Sequence, residues 1–319
     1  MAEADADAKL VLKPGAITMY LSNFSQSADF ETFFYHDLIL NNRRVETLAK
    51  TMEEVKEVRK CDLSINNLVD VSALKDMQQL IYLNLSKNKI KALNVFCTDD
   101  LFPNLKWLDV SNNKITELPA FKLAKLEYLD IGYNKLEKVN DGWTGHQTVR
   151  VLKSIDNKFK ALNVLKAMPK LEELYMASNM ITSLSGWESM PALKKLHLRR
   201  NKIEKVDEEL PNLEQLEYLN LRANKISTLE PIERLFKNDK LRDINVLNNP
   251  VEQNASSFNV FVAEILIKNP KMKRFCKHTI TEANQLEAVY LAKFKWGKSE
   301  EERKRKLAED AAKEGGKEE

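Results

Sequence analysis

LKWLDVSNNKITEL, residues 105–118, sets Leu105, Leu108, Val110 and Ile115 at the apolar positions of a buried strand and turn, with Asn113 among them. Written from its first apolar residue, the stretch reads apolar-x-x-apolar-x-apolar-x-x-Asn-x-apolar. The frame recurs in LIYLNLSKNKI (80–90), LEYLDIGYNKL (126–136), LEELYMASNMI (171–181), LKKLHLRRNKI (193–203) and LEYLNLRANKI (216–226). VRKCDLSINNL (58–68) and LRDINVLNNPV (241–251) fit with substitutions, and VRVLKSIDNKF (149–159) fits except for Ser154 in an apolar slot. The frame asparagines are Asn66, Asn88, Asn113, Asn134, Asn157, Asn179, Asn201, Asn224 and Asn249, 21 to 25 residues apart. Tandem copies at such a period are the signature of stacked coils.

The central apolar-x-apolar is a short strand with two side chains facing one core. Stacked coils then lay their strands side by side as a parallel sheet, and the Asn bonds the tight turn that follows. No coil can bury its apolar edge alone, so stacking supplies the core. The return segments contain Pro or Gly and few helix signals, which predicts turns, 3₁₀ pieces or brief helices. Tyr35, Leu38, Leu40 and Val45 keep the spacing of a degenerate first coil, with Arg43 in the Asn place. Upstream, ITMYLSNF (17–24) has the spacing of a capping helix. Downstream, Phe258, Phe261, Val262, Ile265 and Leu266 form one helical stripe, read as the C-terminal cap. The predicted plan is a disordered start (1–16), an N-terminal cap (17–32), a solenoid of about ten coils (33–257), a C-terminal cap (258–280) and a charged helical or disordered tail (281–319).

The net charge is only +3 over 319 residues, with both signs mixed, so no global field draws nucleic acid or a membrane. Three scattered cysteines make neither a disulfide framework nor a metal site. Together with an acidic opening, MAEADADAK, that lacks an apolar signal core, this leads to the expectation of a reducing compartment. No phosphate-binding glycine loop, metal-ligand histidine spacing or nucleophile elbow occurs, so no catalytic residue, cofactor or metal is assigned.

The candidate residues lie on the face that the frame turns away from the core. Its third position reads Lys60, Tyr82, Trp107, Tyr128, Val151, Glu173, Lys195, Tyr218, Asp243. Three successive coils are expected to present Tyr82, Trp107 and Tyr128 about 5 Å apart, with Asp109, Asp130 and Tyr133 beside them. A second arc carries Tyr175, Lys195, His197, Arg199, Arg200, Tyr218 and Arg222, and is basic and aromatic. Contiguous Trp, Tyr and Arg are typical interface anchors; the bland alternative is aromatics that shield backbone and stack on one another, and basic residues that solvate a surface.

The coils resemble the short intracellular class of leucine-rich repeats, which includes a protein phosphatase regulator, a spliceosomal protein and several ciliary proteins. NNPV followed by FNVFVAEILIKNPKMKRF is similar to that class's C-terminal cap, with Cys276 near the place of its usual Asp. PKLEELYMASNMITSLSGWESMPALKKLHLRRNKI (169–203), LEYLNLRANKISTLEPIERL, and the first coil YHDLILNNRRV resemble the radial-spoke members of the class. The resemblance implies an α/β leucine-rich-repeat solenoid, curved right-handed, with short parallel strands on the concave face, capping helices and a charged C-terminal helix. It further implies a non-enzymatic scaffold of the axoneme in motile cilia or flagella, whose partners are radial-spoke subunits rather than small molecules, membranes or nucleic acid. A subunit that clasps a protein phosphatase in the concave face, and a ribonucleoprotein scaffold, are the alternatives.

Overall fold

The computed structural model describes residues 10–11, 16–26, 33–48, 50–184, 186, 188, 190–204, 213–254 and 256–315. Its strands are β1 (Leu10–Val11), β2 (Leu21–Gln26), β3 (Phe33–Ile39), β4 (Val45–Thr47), β5 (Lys60–Asp62), β6 (Tyr82–Asn84), β7 (Trp107–Asp109), β8 (Glu117–Leu118) and β9 (Tyr128–Asp130). They continue as β10 (Lys138–Val139), β11 (Val151–Lys153), β12 (Glu173–Tyr175), β13 (Lys195–His197), β14 (Tyr218–Asn220), β15 (Asp243–Asn245), β16 (Arg274–Phe275) and β17 (His278–Thr279). The helices are α1 (Glu230–Glu233), α2 (Pro250–Gln253), α3 (Phe258–Lys268) and α4 (Glu282–Gly315).

β5, β6, β7, β9 and β11 to β15 are frame positions three to five of the nine copies, and with β3 they pair in parallel and in register. The fourth-position leucines (Leu83, Leu108, Leu129, Leu152, Leu174, Leu196, Leu219) are fully buried in one continuous core. Return segments carry 3₁₀ turns, such as Ser72–Asp76, Asn94–Cys97 and Asn163–Leu165. So short a return leaves no room for a long helix, as the Pro and Gly of these segments predict.

The frame asparagines tie coil to coil rather than serving only their own turn. Asn113 Oδ1 accepts from the backbone N–H of Ile90 in the preceding coil (2.9 Å). Its Nδ2 donates to Leu85 O of that coil and to Val110 O of its own, both at 3.0 Å. Asn88, Asn134, Asn179, Asn201, Asn224 and Asn249 repeat the pattern. Asn157 donates instead to the hydroxyl of the fully buried Ser154 (3.3 Å), which accounts for the one polar residue in an apolar slot.

The residue before each frame Asn lies in the left-handed region: Ile65, Lys87, Asn112, Tyr133, Asp156, Ser178, Arg200, Ala223 and Asn248 all have φ between 54° and 58°. For a β-branched side chain this conformation is strained. Replacing Ile65, which is 44% exposed, by asparagine is therefore expected to raise stability by about 1 kcal/mol, read as a higher denaturation midpoint. A lower midpoint would mean that Ile65 packing outweighs the strain.

The N-terminal end differs from the sequence expectation in two respects. Residues 17–24 do not form a capping helix: a 3₁₀ turn (Ala16–Tyr20) runs into β2, which pairs antiparallel with β3. A helix there would leave the backbone groups of β3 open, whereas a paired strand satisfies them. β1 pairs with β4, so Leu10 and Val11 lie in a strand although 1–16 reads as disordered; residues 1–9 and 12–15 fall outside the described residues. At the other end β16 extends the sheet and β17 turns back antiparallel across it. α3 buries Phe261, Val262, Ile265 and Leu266 as its stripe predicts, while Phe258 stays exposed. The N–H of Val246 donates to Cys276 Sγ at 3.5 Å, so a thiol takes the bond that the cap resemblance assigns to a carboxylate. α4 starts from a reciprocal Thr281–Asn284 cap and runs to Gly315.

Candidate protein interface on the open face of the sheet

In-register pairing brings Tyr82, Trp107 and Tyr128 into one column. The rings stack nearly parallel, at 4.1 Å and 10° for Tyr82 and Trp107, and at 4.8 Å and 8° for Trp107 and Tyr128. Lysines close both ends of the stack: Lys60 Nζ lies 5.7 Å from the centre of the Tyr82 ring, and Lys153 Nζ 5.1 Å from that of Tyr128. The column is thus both a structural ladder and a half-buried ridge. Trp107 has both faces covered and presents its edge, while Tyr133 stands beside the column half exposed.

Asp109 and Asp130 occupy the fifth frame position in adjacent strands. One oxygen of each accepts a backbone N–H two residues on, from Ser111 (2.8 Å) and Gly132 (2.9 Å), so each carboxylate also shapes the turn. Burial raises the Asp130 carboxyl above its usual range, and neighbouring Asp109 adds to the effect. Burial draws the Lys153 ammonium down, but Tyr128, Asp130 and Asp109 outweigh it and its value lies above the ordinary one.

The second arc is less basic than its composition. Lys195 is paired with Glu173 (2.8 Å), and Lys194 and Arg150 share Glu172 (2.9 and 2.5 Å). Tyr175 donates to Glu173 Oε2 at 2.6 Å. His197 lies between the rings of Tyr175 and Tyr218, 4.7 Å from each, and burial lowers its pKa from the ordinary histidine value. Arg199, Arg200 and Arg222 have no ion pair among the described residues, and Nε of Arg199 and of Arg222 is buried without a hydrogen-bond partner. The structure therefore gathers the predicted residues into two groups, Tyr82–Trp107–Tyr128 with its aspartates and Tyr175–His197–Tyr218 with the arginines, and joins them through Lys153, whose Nζ lies 5.8 Å from the centre of the Tyr175 ring.

A second surface is absent from the sequence-predicted residues. On α4, Leu286, Val289, Tyr290, Phe294 and Trp296 are between 51% and 72% exposed, while Ala288 is buried and Lys295 pairs with Glu264 of α3. Its signal lies in LEAVYLAKFKW (286–296), whose apolar residues occupy two faces of a helix, more than one neighbouring helix can cover. Among the described residues, no three His, Cys, Asp or Glu side chains are grouped to hold a metal ion, and no helix is long and apolar enough to cross a membrane.

A family model for leucine-rich repeats in two copies matches residues 103–143, 169–212 and 191–234. Leucine-rich repeat-containing protein 23 of Bos taurus is 27% identical over 235 residues, covering 72% of this chain, and that of Homo sapiens is 28% identical over the same length. The match spans 65% of the length of each of these relatives, slightly under two thirds. Among solved structures, the functional domain of InlJ from Listeria monocytogenes, which includes a cysteine ladder, matches with a TM-score of 0.57 at 21% identity, covering 78% of this chain and 56% of that one. At that identity the likeness concerns the fold alone.

Proposed function

Taking the chain as a leucine-rich-repeat protein similar to leucine-rich repeat-containing protein 23, we propose that it is a structural scaffold of an axonemal radial spoke in motile cilia or flagella. Leucine-rich repeats mediate protein–protein binding, and the open face of this solenoid has the composition of an interface. The observation that carries the reading is the stacked ridge of Tyr82, Trp107 and Tyr128, an aromatic surface on a rigid sheet. The uncovered stripe of α4 supports it, because an isolated monomer seldom exposes so continuous an apolar face. Partners on this reading are other spoke subunits, and the groove binds rather than transforms them.

The direct test is fractionation of the source cells. The protein is expected to stay with detergent-washed axonemes through a high-salt rinse. A soluble pool that co-purifies with phosphatase activity would overturn the spoke assignment in favour of a phosphatase regulator. On the molecular scale, Trp107→Ala is expected to weaken capture of the partner by about 2 kcal/mol. The same change removes two ring stacks, at about 0.5–1.5 kcal/mol of stability each, so the variant remains folded by circular dichroism. Unchanged capture would leave the ridge as a packing ladder only.

A further inference from the structure

Arg199 and Arg222 hold the seventh frame position of adjacent coils, two residues past strands β13 and β14, which pair in register. Equivalent positions on neighbouring strands are about 4.8 Å apart. Nε of each guanidinium is buried without a partner. The flanking seventh positions are Ala177 and Leu247, and the fifth positions nearby are Tyr175, His197, Asn220 and Asn245, none of them acidic. Of the acids in these and the adjoining coils, Glu173 is engaged with Lys195 and Tyr175, Asp243 with Arg274, and Glu204 with Lys225. Arg200 adds a third cation at the rim. Lys194 and Lys195 each have a glutamate, and among the described residues the arginine pair has none.

A buried cationic N–H left unpaired is costly, and each such group in a native chain calls for a partner. Guanidinium groups match carboxylates in a bidentate fork. We propose that Arg199 and Arg222, with Arg200 at the rim, receive two carboxylates of an acidic protein segment laid across these two coils. Acids at i and i+4 of a helix, about 5–6 Å apart at Cβ, match one coil spacing. The stacked rings of Tyr175, His197 and Tyr218 lie alongside and supply an apolar shelf for the segment's aliphatic stems. An RNA strand fits less well. A polyanion that followed the fifth-position column would meet Asp130, Asp109 and Asp62 within a few coils, whereas a short acidic segment stops before them.

The assignment rests on the open face being a protein interface, and its test separates the two. The full chain is titrated into two labelled alanine-based helical peptides, one with glutamates at i and i+4 and one with glutamines there, and into a labelled oligouridylate. Fluorescence anisotropy at low salt is the readout. The glutamate peptide is expected to bind at least tenfold more tightly than the glutamine peptide. Arg199→Gln/Arg222→Gln is expected to abolish that preference, while Trp107→Ala leaves it intact. Because the double substitution removes two uncompensated cations, its melting temperature should not fall, which verifies the fold. Equal binding of the two peptides, a preference that survives in Arg199→Gln/Arg222→Gln, or arginine-dependent binding of the oligouridylate alone would each overturn the proposal. Retention of the double variant in washed axonemes at the wild-type level would do so too, and would leave the scaffold reading standing.

Discussion

Gly145→Ala is expected to destabilise the solenoid by more than about 4 kcal/mol, in the range reserved for a named structural break. Gly145 has φ +94° and forms a parallel bridge with Ala167 of the next coil. A Cβ added there would lie 2.0 Å from Ala167 O, 2.7 Å from its carbonyl carbon and 2.8 Å from its nitrogen. All three are backbone atoms, so no rotamer change relieves the clash. The strand of chain would have to move, and the bond from His146 N–H to Ala167 O (3.1 Å) would be lost with it. The nearby bond from Trp143 Nε1 to Leu165 O (3.2 Å) is placed to loosen next. Gly297, inside α4, has no heavy atom within 4 Å of such a Cβ. Gly297→Ala should therefore act in the opposite direction and stabilise by about 0.5–1 kcal/mol. Urea titrations of both variants check the pair. A Gly145→Ala midpoint close to wild type would mean that the two coils do not approach as closely as the structure has them.

Asn113→Ala is expected to be the second most damaging change, at about 2–6 kcal/mol. It removes the acceptor of Ile90 N–H and the donors to Leu85 O and Val110 O in a site only 8% exposed. Leu85 O and Val110 O keep a donor in Asn88 Nδ2 and Asn134 Nδ2, so the orphaned group is Ile90 N–H, at about 1–3 kcal/mol, and the two lost carbonyl bonds add about 0.5–1.5 kcal/mol each. The loss is shared by two coils, so unfolding should begin at this junction and broaden the transition of an otherwise cooperative stack. Asn113→Asp discriminates the cause. It preserves volume and the acceptor for Ile90, yet sets a carboxylate oxygen against two carbonyls, and is expected to be as damaging as alanine at neutral pH. Full stability of the aspartate variant would mean that filling the site, rather than its donors, is what matters.

The frame made the coils legible because its spacing is local: strand, turn and asparagine lie within eleven residues. Ser154 shows the limit, since only the reach of Asn157 Nδ2 across the turn explains a buried hydroxyl in an apolar slot. The left-handed residue before each asparagine carries no common residue type, from Ile65 to Asn248, so composition alone does not reveal it. The end at 17–24 misleads for a similar reason. Its spacing suits a helix, but the open hydrogen bonds of β3 demand a strand.

For the candidate interface, the register of the repeats already aligns Tyr82, Trp107 and Tyr128, and tertiary structure adds that the rings lie face to face between two lysines. The charge of the second arc was not legible from its residues. Lys194, Lys195 and Arg150 look like Arg199 and Arg222 in a one-dimensional count. In space the first three meet Glu172 and Glu173 one coil away, and the last two have no ion pair among the described residues. A repeated period is enough to specify coils, their order and the face each side chain occupies, because stacking leaves no other way to bury the apolar edge. Which charges are cancelled, which glycine is wedged against its neighbour and how the ends are closed depend on distances between residues some 20 positions apart, a coil's length, and those exist only once the coils are packed.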